Sequence, residues 1–263
     1  MVTALKTSIN ILLVFLFAAC TSVPDERMTP YVDFPETREL TARTLSLDSA
    51  LFRYPYRVRV QDDKAVVLDL HGTEYFFHAF HYPGFHYLSS FGKRGDAPEE
   101  MLSAENLRWN GNFLWTLDSN KSELTRLGFA SSGESLLRLE GVSLDEELLR
   151  ALDFVQYDDS TFIIPDYSGD SRFCLVSRQG KLLHKIGTIP TTDEDALKNA
   201  HPALAQAWRS FIDYNPRNGV LAAVTQLGEV LEIYNLKDST HIVRIGPNGE
   251  PEFQISQGYG IPT

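Results

Sequence analysis

Histidine, aspartate and cysteine recur in this 263-residue chain in patterns that could do chemistry. His78, His81 and His86 fall in one short stretch, and imidazoles are common zinc ligands. A zinc site needs three or four ligands that converge. On an extended strand His78 shares a face with Phe76 and Phe80, whereas His81 points the other way with Tyr75 and Phe77. His86 lies beyond the Pro83-Gly84 turn and can approach only one of the other two. The trio therefore reads as half-buried structural histidines, and no metal ligand is assigned.

Asp69, Asp118 and Asp166 each close an apolar run. Carboxylates repeated in this way could ring a central channel and hold a cation. The commoner use of an acidic residue at a strand end is to accept turn amides, and that is the role expected here. Cys174 alternates with Phe173 and Leu175 and has no neighbouring base, as befits a small core residue. No Gly-x-Ser-x-Gly elbow, His-Glu-x-x-His pair or Walker-type glycine loop occurs, so no catalytic residue and no cofactor is assigned. Trp109 and Trp115 sit in strand-like runs and are expected to pack between sheets. Trp208 is the better candidate for an exposed ring that stacks on a sugar.

Cys20 carries a different chemistry. Lys6 precedes the uncharged run Ile11 to Phe17, which is too short to span a bilayer and suits a signal-peptide core. Ala18-Ala19-Cys20 resembles the lipobox of bacterial lipoproteins, in which the cysteine thiol takes a diacylglyceryl group. The reading is a signal peptide at 1–19, lipidation at Cys20, and a tether over 20–36. Thr21 stands where an Asp would resemble an inner-membrane retention signal, which favours the outer membrane or cell surface. The membrane is then a partner through the lipid anchor.

The elements that must position these residues are short strands. From Tyr56 onward four units repeat, each with four alternating apolar strands, over about 56–91, 105–140, 152–187 and 210–246. Asp62-Asp63, Asn110-Gly111, Gln179-Gly180 and Asn218-Gly219 supply turn chemistry between strands. The second strands recur at intervals of roughly 50 residues, the spacing of β-propeller blades. A helix-prone insert near 193–209 lengthens the last interval. The expected fold is all-β, a propeller occupying 37–263. With 24 basic against 35 acidic side chains and no basic cluster, nucleic acid is disfavoured as a ligand.

Phe91-Gly92-Lys93-Arg94-Gly95-Asp96-Ala97-Pro98-Glu99-Glu100 resembles the Gly-x-x-Gly-x-Gly-Pro-Gly-Glu connector of six-bladed propeller lipoproteins of Bacteroidetes, with Asp96 and Ala97 departing from it. The stretch from Ala203 through Asn215-Pro216 to Glu232-Ile233-Tyr234-Asn235-Leu236 and Gly246-Pro247 is similar to the TolB-like six-bladed propellers. The resemblance implies an exported lipoprotein and hands over no catalytic residues. Six blades also imply a ring larger than the four seen. Leu40 to Leu47 is then expected to be a closing strand, and Gln257 to Thr263 the run-in to a fifth blade. The expected function is a cell-envelope binding scaffold for a protein, peptide or glycan. The alternatives are a propeller enzyme of lyase, lactonase or quinoprotein type with a channel-mouth metal, or a truncated inactive product.

Overall fold

A computed structural model describes residues 28–30, 36–45, 52–256 and 259–262. The signal peptide, Cys20 and most of the tether lie outside the described residues. A short strand, β1 (Met28–Pro30), comes first. Blade 1 follows as β2 (Pro55–Gln61), β3 (Lys64–Asp69), β4 (Tyr75–His81) and β5 (His86–Lys93). Blade 2 is β6 (Asn106–Asn110), β7 (Phe113–Asp118), β8 (Glu123–Phe129) and β9 (Leu136–Ser143). Blade 3 is β10 (Val155–Gln156), β11 (Thr161–Pro165), β12 (Phe173–Ser177) and β13 (Leu182–Ile186). Two helices, α1 (Glu194–Asn199) and α2 (His201–Ala207), fill the expected insert. Blade 4 is β14 (Ser210–Asn215), β15 (Val220–Thr225), β16 (Val230–Asn235) and β17 (Thr240–Ile245). A hairpin of β18 (Phe253–Ser256) and β19 (Tyr259–Pro262) comes last.

Each blade is an antiparallel meander in chain order, and the architecture is a β-propeller. Alternation explains how the blades stack. Val66, Leu68, Ala79 and Phe91 of blade 1 meet Leu107, Leu114, Leu127 and Leu136 of blade 2 in one apolar layer. Trp115, Leu117 and Leu124 of blade 2 meet Phe162, Ile164 and Cys174 of blade 3 in the next. Ile163 and Phe173 of blade 3 meet Ile212, Leu221 and Ala223 of blade 4. Each layer needs residues from two blades, so no blade buries its faces alone. Fully burying one Phe or Leu side chain contributes about 1.5–3 kcal/mol.

Turn residues set the spacing between blades. Gly180 has φ +82°, and a Cβ there would stand 2.0 Å from the Ser143 carbonyl oxygen of blade 2. Its own carbonyl accepts the Asp145 amide at 2.8 Å. Only glycine combines that backbone with that approach. In the Phe91–Glu100 connector, Glu100 accepts the Ala97 amide at 3.2 Å and pairs with Lys93 at 2.7 Å, which closes the loop between blades 1 and 2.

Two expectations need correction. Residues 40–45 form no strand and are exposed, Leu40 almost completely, while 46 and 47 lie outside the described residues. The outer edge of blade 4 instead takes β1, parallel to β17, with Met28 opposite Val243 and Pro30 opposite Ile245. That edge offers one row of free backbone groups, and the segment beginning eight residues after Cys20 fills it. The innermost strand of blade 3 is also short, Val155–Gln156 in a blade expected from 152, because Asp153 takes the Phe154 amide at 2.7 Å, a donor a ladder would otherwise use.

Candidate ligand cavity at the propeller axis

The first strand of each blade lies innermost, so β2, β6, β10 and β14 surround the axis. Arg57 and Arg59 of β2 reach toward blade 2, and Val58 and Val60, which alternate with them, are exposed. Arg57 Nη1 donates to Asn106 Oδ1 at 2.6 Å, and Arg59 Nε donates to the Leu107 carbonyl at 3.3 Å. Asn106 Nδ2 passes the chain on to Asp153 Oδ1. Arg108 Nη2 donates to the same oxygen at 3.2 Å and to the Ile212 carbonyl, while its Nη1 donates to Asp213 Oδ1 at 2.9 Å. Asp213 Oδ2 stands 3.7 Å from Arg59 Nη1, which links blade 4 back to blade 1. Tyr56 and Phe211 approach at the same junction, with centroids 6.5 Å apart.

Arg59, Arg108 and Asp213 of this network form the floor of a cavity of about 370 Å³, and Arg57, Asn106 and Asp153 join them from outside its lining. Its walls come from Val60, Trp109, Gln156, Tyr157 and Tyr214, and Asp158 and Asp159 stand at the rim. Tyr157 and Tyr214 approach with ring centroids 5.4 Å apart. The volume sits at the small end of the range for ligand pockets, and aromatic walls with a few convergent polar groups are their usual composition. Burial, then the neighbouring Arg108 and Arg57 charges, pull the Arg59 guanidinium below its ordinary pKa, with Asp213 opposing. Three polar atoms on lining residues, Arg108 Nε, Trp109 Nε1 and Gln156 Oε1, are buried without a hydrogen-bond partner among the described residues.

The residues singled out from sequence go elsewhere. Asp69 accepts the Arg53 and Tyr54 amides at 2.9 and 2.6 Å. Asp118 accepts the Leu102, Asn120 and Lys121 amides at 2.7, 3.0 and 3.0 Å. Asp166 accepts the Ser168 and Ser171 amides and pairs with Lys185 at 3.1 Å. All three are buried; Asp118 and Asp166 staple the turns that follow them, as expected, whereas Asp69 holds the segment that leads into β2. His78 is buried against Ser90 and Phe52, whereas His81 is exposed beside Asp63 and pairs across the hairpin with His86. Among the described residues, no three His, Cys, Asp or Glu side chains gather as metal ligands would. Cys174 is a core residue whose thiol burial pushes up to about 12, so it stays protonated at neutral pH. Trp208 is not exposed. It is fully buried where α2 packs over blade 4 with Leu204, Val230 and Val243, which removes it as a sugar platform.

No signal in the sequence singles out the axial arginines: Arg57-Val58-Arg59 alternates charged and apolar residues as any half-exposed strand does, and Arg138 and Glu140 on the outer strand β9 show the same pattern.

A family model for TolB-like 6-blade propeller-like proteins matches residues 33–261. The chain belongs to this family. An exported protein of Bacteroides fragilis superposes with a TM-score of 0.51 at 10% identity, over 83% of this chain and 80% of that one. A member of the DUF4221 family from Bacteroides vulgatus gives 0.50 at 13% identity, over 86% of this TolB-like chain and 66% of its own. At such identities these likenesses speak for the fold alone. No curated protein matches the chain. Among the described residues of this TolB-like propeller, no helix is long and apolar enough to cross a membrane.

Proposed function

We propose that this TolB-like propeller is a lipid-anchored binding module of the bacterial cell envelope that takes its ligand in the axial cavity. The observation that carries the reading is the cavity itself, to which the innermost strands of all four blades contribute. The leader over 1–19 and the Ala18-Ala19-Cys20 sequence at its end support the compartment. With Cys20 acylated, the protein faces the periplasm or the cell surface from the outer membrane. Its ligand is then a protein, peptide or glycan of the envelope rather than nucleic acid.

The anchor is tested with a palmitate analogue. Cys20→Ala will take up none of the label and will accumulate as unlipidated precursor or be released, because Cys174, the chain's other cysteine, is buried. Equal labelling of variant and wild type refutes the anchor.

Binding is followed by tryptophan emission. Trp109 is the partly exposed tryptophan on the cavity wall, while Trp115 and Trp208 are buried. Titration with soluble envelope peptides and oligosaccharides will give a saturable change in emission that Trp109→Phe abolishes. Emission that stays flat across the whole set, or a response that survives replacing both cavity-lining tryptophans, Trp109→Phe with Trp115→Phe, removes the cavity as the binding site.

A further inference from the structure

We propose that the axial cavity recognises a carboxylate attached to an apolar or aromatic body, seated on Arg59 with its body against Trp109, Tyr157 and Tyr214. This rests on the reading of the cavity as the binding site and adds the chemical class of its ligand. The network under the cavity holds three guanidinium groups, Arg57, Arg59 and Arg108, and two carboxylates, Asp153 and Asp213, of which Arg59, Arg108 and Asp213 line the cavity itself. The remaining positive charge is not shared evenly. Arg108, nine-tenths buried, holds both carboxylates. Arg57 is engaged with Asn106 and lies 5.4 Å from the ring centres of Tyr56 and Phe211.

Arg59 is left under-neutralised. Among the described residues its guanidinium makes one hydrogen bond, to the Leu107 carbonyl. Its nearest carboxylate, Asp213, is 3.7 Å away, two-thirds exposed and already bonded to Arg108. Solvent weakens what an exposed partner contributes. A guanidinium presents its N–H groups in a fork that fits a carboxylate edge-on, and such pairs are among the stronger hydrogen bonds.

The walls set what the carboxylate is attached to. Trp109 stacks on Phe129 at 6.2 Å, which holds its indole as a fixed surface, and the Tyr157–Tyr214 pair stands across the cavity. A bare anion would leave these faces wet. The unpartnered Trp109 Nε1 and Gln156 Oε1 are the kind of groups an amide linkage satisfies. Of the rim carboxylates, Asp158 is committed to its own turn, accepting from Ser160 and Thr161 at 2.8 Å. Asp159 is exposed to water. Neither replaces a ligand on Arg59.

The probes are N-acetylphenylalanine and N-acetylphenylalaninamide, which differ only in carboxylate against amide, with acetyl-Gly-Gly-Phe and inorganic phosphate alongside. In wild-type protein the acid is expected to bind at least tenfold more tightly than the amide, read by Trp109 emission and by calorimetry. Arg59→Gln should bring the acid down to the amide's affinity, and Arg59→Lys should keep part of the preference. Thermal melting of both variants without ligand separates lost recognition from lost folding. Tighter binding of the tripeptide identifies a peptide C-terminus as the source, and tighter binding of the single residue identifies a small free acid. Equal affinity for acid and amide, or phosphate binding as tightly as the acid, overturns the assignment and leaves the cavity reading intact. Silence from all four probes while envelope fragments still change Trp109 emission overturns it too, whereas silence from every compound takes both readings down together.

Discussion

Glu232→Ala will destabilise the protein by about 3–5 kcal/mol, the range for stripping one partner from a buried ion pair. Glu232 lies on β16 with no exposed surface, and Arg172, just before β12, is nearly as deep. Arg172 Nε and Nη2 both donate to Glu232 Oε1, at 2.9 and 2.7 Å. The same guanidinium donates to Ser210 Oγ at 2.6 Å and to the Trp208 carbonyl at 3.2 Å. Tyr234 donates to Glu232 Oε2 at 2.6 Å, and His241 stacks on the Tyr234 ring. The cluster welds blade 3 to blade 4 and to the end of α2, so removing the carboxylate strands a charge where water cannot reach it. Domains are stable by only about 5–15 kcal/mol, so the loss is a large fraction.

The pH dependence has a definite sign. Burial by itself raises the Glu232 pKa, but the Arg172 charge, His241 and the Tyr234 hydroxyl outweigh it and hold the carboxyl below the usual carboxylate range. A depressed folded-state pKa contributes stability that is present above the unfolded value of ~4.3 and lost as pH falls through the folded value. Denaturant melts below neutrality should therefore show wild type losing stability more steeply with acid than Glu232→Gln, which has no proton to take up there. An apolar double replacement, Arg172→Met with Glu232→Leu, should be milder than Glu232→Ala, since nothing charged is left behind. A Glu232→Ala protein within 1 kcal/mol of wild type would show that the pair does not hold the blades together.

The contrast between Arg172–Glu232 and the strands around it shows what a single sequence discloses. Val66-Val67-Leu68, Trp115-Thr116-Leu117 and Ile163-Ile164 declare blade cores because alternation and turn residues are local properties. Asp118 and Asp166 were legible for the same reason, since a strand-end carboxylate meets the amides of the turn after it, while Asp69 reaches back to the Arg53 and Tyr54 amides instead. Arg108 finds Asp213 more than a hundred residues away, and Arg172 finds Glu232 sixty residues on. No local period links those pairs; only ring stacking does. Trp208 failed for a related reason. Its short helical insert reads as a surface decoration, yet the blade face beneath it is apolar and takes the indole as its cover. Leu40 to Leu47 alternates like a strand, but alternation does not choose which segment fills a sheet edge, and β1 holds that place.

Asp153→Asn will move stability and anion affinity in opposite directions. Asp153 is buried and serves four donors: Asn106 Nδ2, Arg108 Nη2 and the amides of Phe154 and Ile212. An asparagine keeps one acceptor oxygen and turns an NH2 toward the remaining donors, leaving Arg108 with the exposed Asp213 as its charged partner. The expected loss is roughly 3 kcal/mol, toward the lower end for a broken buried pair because Asp213 and the Ile212 carbonyl remain. The same change leaves three guanidinium groups facing one carboxylate. If the floor selects anions, N-acetylphenylalanine should gain affinity severalfold over its amide relative to wild type, since the added positive charge acts across a poorly screened interior. Saturating acid should then recover part of the lost stability by mass action. Chemical denaturation with and without each probe reads both quantities in one experiment. A variant that melts like wild type refutes Asp153 as the hub of the network under the cavity, and one whose acid preference narrows refutes the competition between Asp153 and the ligand for the axial arginines.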